Sequence, residues 1–350
     1  MAIYKRRRYL LMTLDPVHIG AGGYRLGRVD NSIVREPGTR VPKIPGTSLH
    51  GAARSYAAQL YETPEAAGQT HDKISNPEQN PVCYTFGYIK KNQNGQDVKT
   101  YSGVVNIFDA QIVLFPVHSL VGPVWVGTVE RLREAGFEVS NGPGGCAKDT
   151  ALLTFARTDP LNLGWLMVNT GGQVAVYAPT EWQTEQRWKA IEDKIVLVHE
   201  ALFGHIVNSN LEVRTSVSIN PETGAAEDKA LFTYEAIPRA TFLTVEVVLD
   251  DYQAEQEGWR LGQISQTGKS NGNGKVKPLP GNAVWQSPLD VLDAGLRLIE
   301  WLGVGGMGTR GFGRIAMVGQ AQEEVYGQQS DADRSPSGEG ATTPQSEEQP

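Results

Sequence analysis

Residues 287–318 read SPLDVLDAGLRLIEWLGVGGMGTRGFGRIAMV. Ser287 offers a capping hydroxyl and Pro288 occupies the first helical position, so a helix is expected to run to Gly303. Between Gly303 and Gly313 stand six glycines, and a strand follows at Ile315–Val318. Gly306–Gly311 match G-x-G-x-x-G literally. A dinucleotide fingerprint, however, follows a strand and opens a helix, so that the pyrophosphate meets the helix N-terminus. Here the helix precedes and the strand follows, and no G-K-[ST] is present, so neither a Rossmann nor a Walker loop is expected. What remains is a loop whose glycines (Gly305, Gly306, Gly308, Gly311) let backbone N–H groups approach a polyanion, with Arg310 and Arg314 adding charge. The alternative is a tight helix-to-strand turn, which needs fewer glycines.

Outward from this run, TFLTVEVVLD (241–250) reads as a strand, and residues 262–282 are low-complexity and expected to be mobile. VRTSVSIN and KALFTYEAI form the arms of a hairpin at about 212–236. A long helix is expected from about Glu181 to Ile206. Thr180 and Gln183 make a capping box, and Trp188, Ile191, Ile195, Val198 and Leu202 follow helical spacing. A helix is expected over about 121–135, strands over 104–117, and polar loops over 63–82 and 137–150. A helix from Thr47 or Ser48 to about Glu62 follows a long Gly-, Pro- and Arg-rich loop, itself preceded by a strand at Arg8–Leu14. Helices and strands without regular βα alternation indicate the α+β class.

Hydrophobic residues make up 40% of the 350 and charged residues 20%, enough for a sizeable core and against wholesale disorder. Two cysteines, Cys83 and Cys146, exclude a disulfide scaffold and a four-cysteine zinc site. His199 and His205 are six apart, unsuited to a zinc pair. Apolar runs fall far short of the ~18 residues of a membrane span. The basic start is followed only by Tyr9–Leu14, too short for a signal peptide, so a cytoplasmic protein is expected. The formal net charge of −7 argues against nucleic acid, but its distribution does not: residues 1–55 carry +7 and residues 320–350 carry −6. A basic end on an acidic body suits a polyanion, or is a solvated edge. The tail from about Gln320 lacks apolar periodicity and is expected to be disordered.

The segment from His18 to Arg54 (HIGAGG, RVDNSIVRE at 28–36, PKIPGTSLHGAAR at 42–54) resembles the RAMP superfamily of CRISPR-associated proteins. CYTFG (83–87), FPVHSLVG (115–122) and ALFTYE (230–235) are similar to the backbone subunit of type III effectors; the last two resemble the Cmr-type backbone nuclease, whereas GGMGTRGFGR is closer to the Csm-type equivalent. The resemblance implies a modified ferredoxin-like (RNA-recognition-motif-like) domain over 1–319 with large insertions. The 212–236 hairpin would be a thumb, and copies would stack along a guide RNA and cut complementary target RNA. It also implies other effector subunits as partners, a Mg or Mn ion, and no membrane.

Within that resemblance Asp30 holds the catalytic aspartate position, either helping to hold the ion or placing a 2′-hydroxyl for in-line attack; otherwise V-D-N is turn chemistry. Arg25, Arg28 and Arg35 flank it as phosphate or transition-state contacts. Lys43 and Arg54 bracket the helix start at Thr47–Ser48, where cations and free N–H groups make a phosphate site. Phe232 and Tyr234 alternate about Thr233 and offer base-stacking faces, or simply pack the hairpin. His50 stands where a basic residue is common. His18 is the base only if the chain is instead a precursor-processing nuclease; a non-catalytic guide-binding scaffold is the other alternative.

Overall fold

The computed structural model describes residues 4–22, 29–68, 71–91, 97–140, 146–251, 259, 261–265 and 284–326. Arg25 and Arg28, most of the 262–282 loop and residues 327–350 lie outside them.

The first strand (Tyr4–Thr13) lies one strand in from an edge of a twelve-stranded sheet. It pairs antiparallel with Phe242–Leu249 on one side and with Ile315–Met317 on the other; Phe242–Leu249 in turn pairs antiparallel with Ala110–Ser119. Taken in chain order, these four strands lie side by side as 4-1-3-2. Helix Gly46–Leu60 follows the first of them and helix Pro288–Leu302 the third. The sequence dictates which face each covers. Successive strand side chains point to opposite sides. Tyr9 and Leu11 therefore join the helix-side core with Leu49, Ala53, Leu292 and Leu296. Leu10 points the other way, into a second core with Phe242, Trp182 and Trp188. The two helices approach so closely that a Cβ on Gly295 would collide with the Ala53 carbonyl. Ser287 caps the second helix by accepting from the Asp290 N–H, as expected.

Beyond Ala110–Ser119 the sheet continues through Gly122–Gly127, Ile195–Leu197, Thr150–Leu153, Leu166–Gln173 and Leu161–Leu163. This extension overturns two expectations. Residues 121–135 are a strand (Gly122–Gly127) and then a short helix (Val129–Glu134) capped by Thr128. The expected helix at 181–206 is broken into a turn of helix at Gln186–Lys189, the strand Ile195–Leu197, and helix Glu200–Ser209. Ile195, Val196 and Leu197 are each fully buried in mid-sheet. A strand covered on both faces carries a continuous apolar run, which spacing alone does not separate from a helix. The polar loop expected at 63–82 includes buried Val82 at the start of a short helix, Pro81–Phe86.

The basic N-terminus is not a free cationic surface. Arg6 pairs with Glu246 and Glu324, Arg7 with Asp293 and Glu323, and Arg8 with Glu246. Glu323 and Glu324 lie on a strand, Gln322–Tyr326, paired antiparallel with Tyr4–Arg8, so the chain just past 320 is ordered rather than disordered. The two cysteines are buried and unpaired, and burial pushes each thiol up to about 11. Alkylation of the native protein by iodoacetamide at pH 8 is therefore expected to run at least about a hundredfold slower than that of the urea-unfolded chain, checked by mass spectrometry.

Candidate functional site

The hairpin arms are Glu212–Ile219 and Ala226–Ala236. In an antiparallel pair, alternate residues turn their N–H and C=O away from the partner strand. At Thr233 those outward groups meet the loop before the first helix. The Thr233 N–H donates to Asp30 Oδ2 at 2.7 Å and its hydroxyl to the same oxygen at 2.8 Å. The Asn31 N–H donates to the Thr233 carbonyl at 3.0 Å, and the Glu235 N–H to the Asn31 carbonyl at 3.2 Å. The Asp30 loop is thus a short parallel edge on the hairpin. Asp30 is exposed, and the two Thr233 bonds, the backbone one foremost, hold its carboxyl below the usual carboxylate range. Oδ1 has no hydrogen bond among the described residues.

Behind this edge lies a braced layer. Glu235 Oε1 accepts from the Ile33 N–H at 3.0 Å and from Arg35 Nη1 at 2.6 Å; Arg35 Nε donates to Asn208. Arg35 is therefore a strut within the loop rather than an open phosphate contact. The His18 ring is buried, with Nδ1 2.7 Å from the Glu235 carbonyl. A carbonyl only accepts, so Nδ1 carries the proton, and His18 is a brace of the same layer. Thr233 and Glu235 are site residues that sequence reading passed over. Both sit in the ALFTYE stretch, but their partners are about two hundred residues away in the chain.

The glycine run wraps His18. The Gly306 N–H donates to the His18 carbonyl, the Gly313 N–H to Pro16, and the Gly311 N–H to Gly308. Gly305, at φ +88°, lies against Ile19 and the His18 carbonyl where a Cβ would collide. Much of the run's N–H set is therefore spent on the turn, against the expectation of a phosphate cradle at Gly306 and Gly311. Gly305 and Gly308 instead line a groove of about 400 Å³ whose other wall is the helix start at Thr47 and Ser48. Those two regions were expected as separate contacts, and the fold brings them together. Neither Thr47 nor Ser48 caps the helix, because Pro45 stands at the cap position and the Gly46 N–H donates to Asp109.

Lys43 and Arg54 do not reach this groove as phosphate contacts. Lys43 bridges Glu36 and Asp109, which hold its ammonium above the ordinary value. Arg54 turns inward onto the carbonyls of Ala66 and Gly87 and onto His71. Arg314 pairs with Asp15. His50 lies edge-on to Phe86, and burial lowers its pKa. Phe232 and Tyr234 share a face, as alternation requires, but Tyr234 is buried against Phe312, with ring centroids 5.4 Å apart. It packs the hairpin root and presents no free stacking face. Phe232 is half-buried under Arg310 at 5.5 Å. Arg214, which sequence reading did not single out, is exposed, lies over Phe312 at 4.7 Å and pairs with Glu212. No group of three His, Cys, Asp or Glu side chains suited to a metal occurs among the described residues, and no described helix is long and apolar enough to cross a membrane.

A family model described as the RAMP superfamily matches residues 10–316. A curated relative, the CRISPR system Cmr endoribonuclease Cmr4 of Pyrococcus furiosus, is 27% identical over 251 residues, covering 66% of this chain and 77% of the relative. The Cms endoribonuclease Csm3 of Mycobacterium tuberculosis is 34% identical over 88 residues, 25% of this chain and 36% of the relative. Among solved structures, a chain of the type III-B Cmr-beta complex bound to cognate target RNA superposes with a TM-score of 0.56 at 13% identity, covering 89% of this chain and 96% of that one. Oligomeric Cmr4 from Pyrococcus furiosus gives 0.50 at 18% identity, covering 91% and 99%. The fold is theirs, and with the family match spanning both the Asp30 loop and the hairpin, this chain belongs to the RAMP superfamily.

Proposed function

We propose that this chain is a Cmr4-like backbone subunit of a type III CRISPR ribonucleoprotein that holds a guide RNA and cuts the complementary target RNA. One observation carries the reading: an exposed, ionised Asp30 with a free oxygen is fixed at the root of a projecting hairpin, in a family whose matched relatives are named endoribonucleases. The 4-1-3-2 strand order with its two helices is read as the ferredoxin-like, RNA-recognition-motif-like core. The hairpin is read as the thumb, which parts guide from target and splays a nucleotide. The groove between Thr47–Ser48 and Gly305–Gly308 is the proposed guide-backbone contact, and Arg310 with Phe232 lines the approach to the thumb. Further copies of this chain and other effector subunits complete the complex, which works in the cytoplasm.

Among the described residues the site offers a metal one free carboxylate oxygen, that of Asp30, and no all-protein cage. That is the share Mg²⁺ takes when substrate phosphates and water supply its remaining ligands. Asp30 is the residue that would hold such an ion, which when bound neutralises charge on the reacting phosphate. The protein's own part is to orient. The one free oxygen serves one partner at a time: where it does not hold the ion, Asp30 Oδ1 accepts the hydrogen bond of a splayed nucleotide's 2′-hydroxyl and takes its proton as that oxygen attacks the adjacent phosphorus. The P–O5′ bond breaks, the 5′ oxygen is protonated by water, and a 2′,3′-cyclic phosphate is left.

Purification of the native complex is expected to bring down a short RNA with larger subunits. Adding EDTA to it is expected to stop cleavage of complementary RNA, and Mn²⁺ to restore it. Cleavage that persists in chelator removes the ion from the reading, and an RNA-free protein removes the guide.

A further inference from the structure

We infer that Thr233 is a positioning residue for Asp30, so that the hairpin itself sets the orientation of the cleaving carboxylate. The inference rests on the role proposed for Asp30. Four bonds converge on this one threonine: its N–H and hydroxyl donate to Asp30 Oδ2, its hydroxyl accepts from the Asp30 N–H at 3.1 Å, and its carbonyl accepts from the Asn31 N–H. Both donors fall on one carboxylate oxygen. The rotamer is thereby held, and no described residue donates to the other oxygen.

The threonine hydroxyl is the part a strand alone does not require. Any residue but proline at position 233 presents the N–H, because the strand register against Thr215 turns it outward. Only a hydroxyl at this distance closes the ring onto both the Asp30 carboxylate and the Asp30 N–H. Since Thr233 lies on the hairpin arm that also carries Phe232 and Leu231, displacement of the arm by a duplex moves the carboxylate with it.

The test uses the complex reconstituted with full-length chain, guide RNA and complementary target, in single turnover. Thr233→Val keeps the branched shape and the N–H but removes the hydroxyl. At saturating target it is expected to cut about three- to tenfold more slowly, with target affinity and guide occupancy unchanged. Thr233→Ser, which returns the hydroxyl, is expected to restore the rate. An Asp30→Asn complex run in parallel separates the two ideas: if it cuts normally, the role of Asp30 falls. If it is inactive while Thr233→Val matches the wild-type rate, the positioning role alone falls. A Thr233→Val loss that serine does not rescue, or that comes with weakened target binding, also overturns it.

Discussion

Asp30→Asn is expected to lower single-turnover cleavage of guide-complementary RNA by about 10²–10⁴-fold, the span typical of removing a general base. The substitution keeps the side chain's size and an oxygen for the Thr233 N–H, but removes the charge and the proton acceptor. Asp30 is exposed and contributes nothing to either core, so the melting profile and guide occupancy are expected to match the parent chain. The Thr233 bonds hold the carboxyl below its usual range, so the parent enzyme keeps Asp30 ionised as pH falls through ordinary carboxylate values. The sign follows from linkage: a depressed folded-state value means the contribution is present above the unfolded value and lost only as pH drops through the lower one. Loss of the guide from the Asp30→Asn complex, or undiminished cutting, contradicts the assignment.

The second large effect is on stability. Glu235→Ala is expected to cost about 3 kcal/mol, because breaking a buried ion pair strands its partner. Both Glu235 and Arg35 are largely buried, and the carboxylate also serves the Ile33 N–H, so alanine leaves the Arg35 cation with only the neutral oxygens of Asn208 and Ile33 and the Ile33 N–H without an acceptor. Glu235→Gln keeps an oxygen for Ile33 and is expected to lose less. Urea unfolding monitored by tryptophan fluorescence measures both. A Glu235→Ala midpoint equal to the parent's would show that the loop is held by other contacts. Because this layer lies under the Asp30–Thr233 edge, the alanine variant is also expected to lose cleavage more than guide binding.

What the sequence disclosed depended on how local the determining contact is. The helix at Pro288–Leu302 was legible because its cap, first-turn proline and terminating glycine are neighbours in the chain. The hairpin was legible because alternation along each arm is a two-residue pattern. The strand Ile195–Leu197 was not, because its identity comes from strands on either side that cover both faces. Asp30 was found through its surrounding motif, yet the partner that gives it a fixed rotamer lies two hundred residues on, in a stretch read for its family likeness and its aromatic rings. The same limit misplaced Lys43 and Arg54. Two cations beside a helix start suggest a phosphate site, but Asp109 and the Gly87 carbonyl, supplied by distant segments, had already claimed them. The glycine run was read correctly in order and only partly in purpose, since His18 and Pro16 consume N–H groups that the sequence leaves apparently open.

The central claim is that a carboxylate anchored to the hairpin acts on the ribose 2′-oxygen of a target nucleotide. Its most direct measurement is cleavage of a target RNA carrying a single 2′-deoxy nucleotide immediately 5′ of one cut position. Cutting at that position alone is expected to vanish while the remaining positions are cut at their normal rates. Continued cutting at the deoxy position, with the same product ends, would mean that the attacking oxygen comes from elsewhere and that Asp30 is not acting as described.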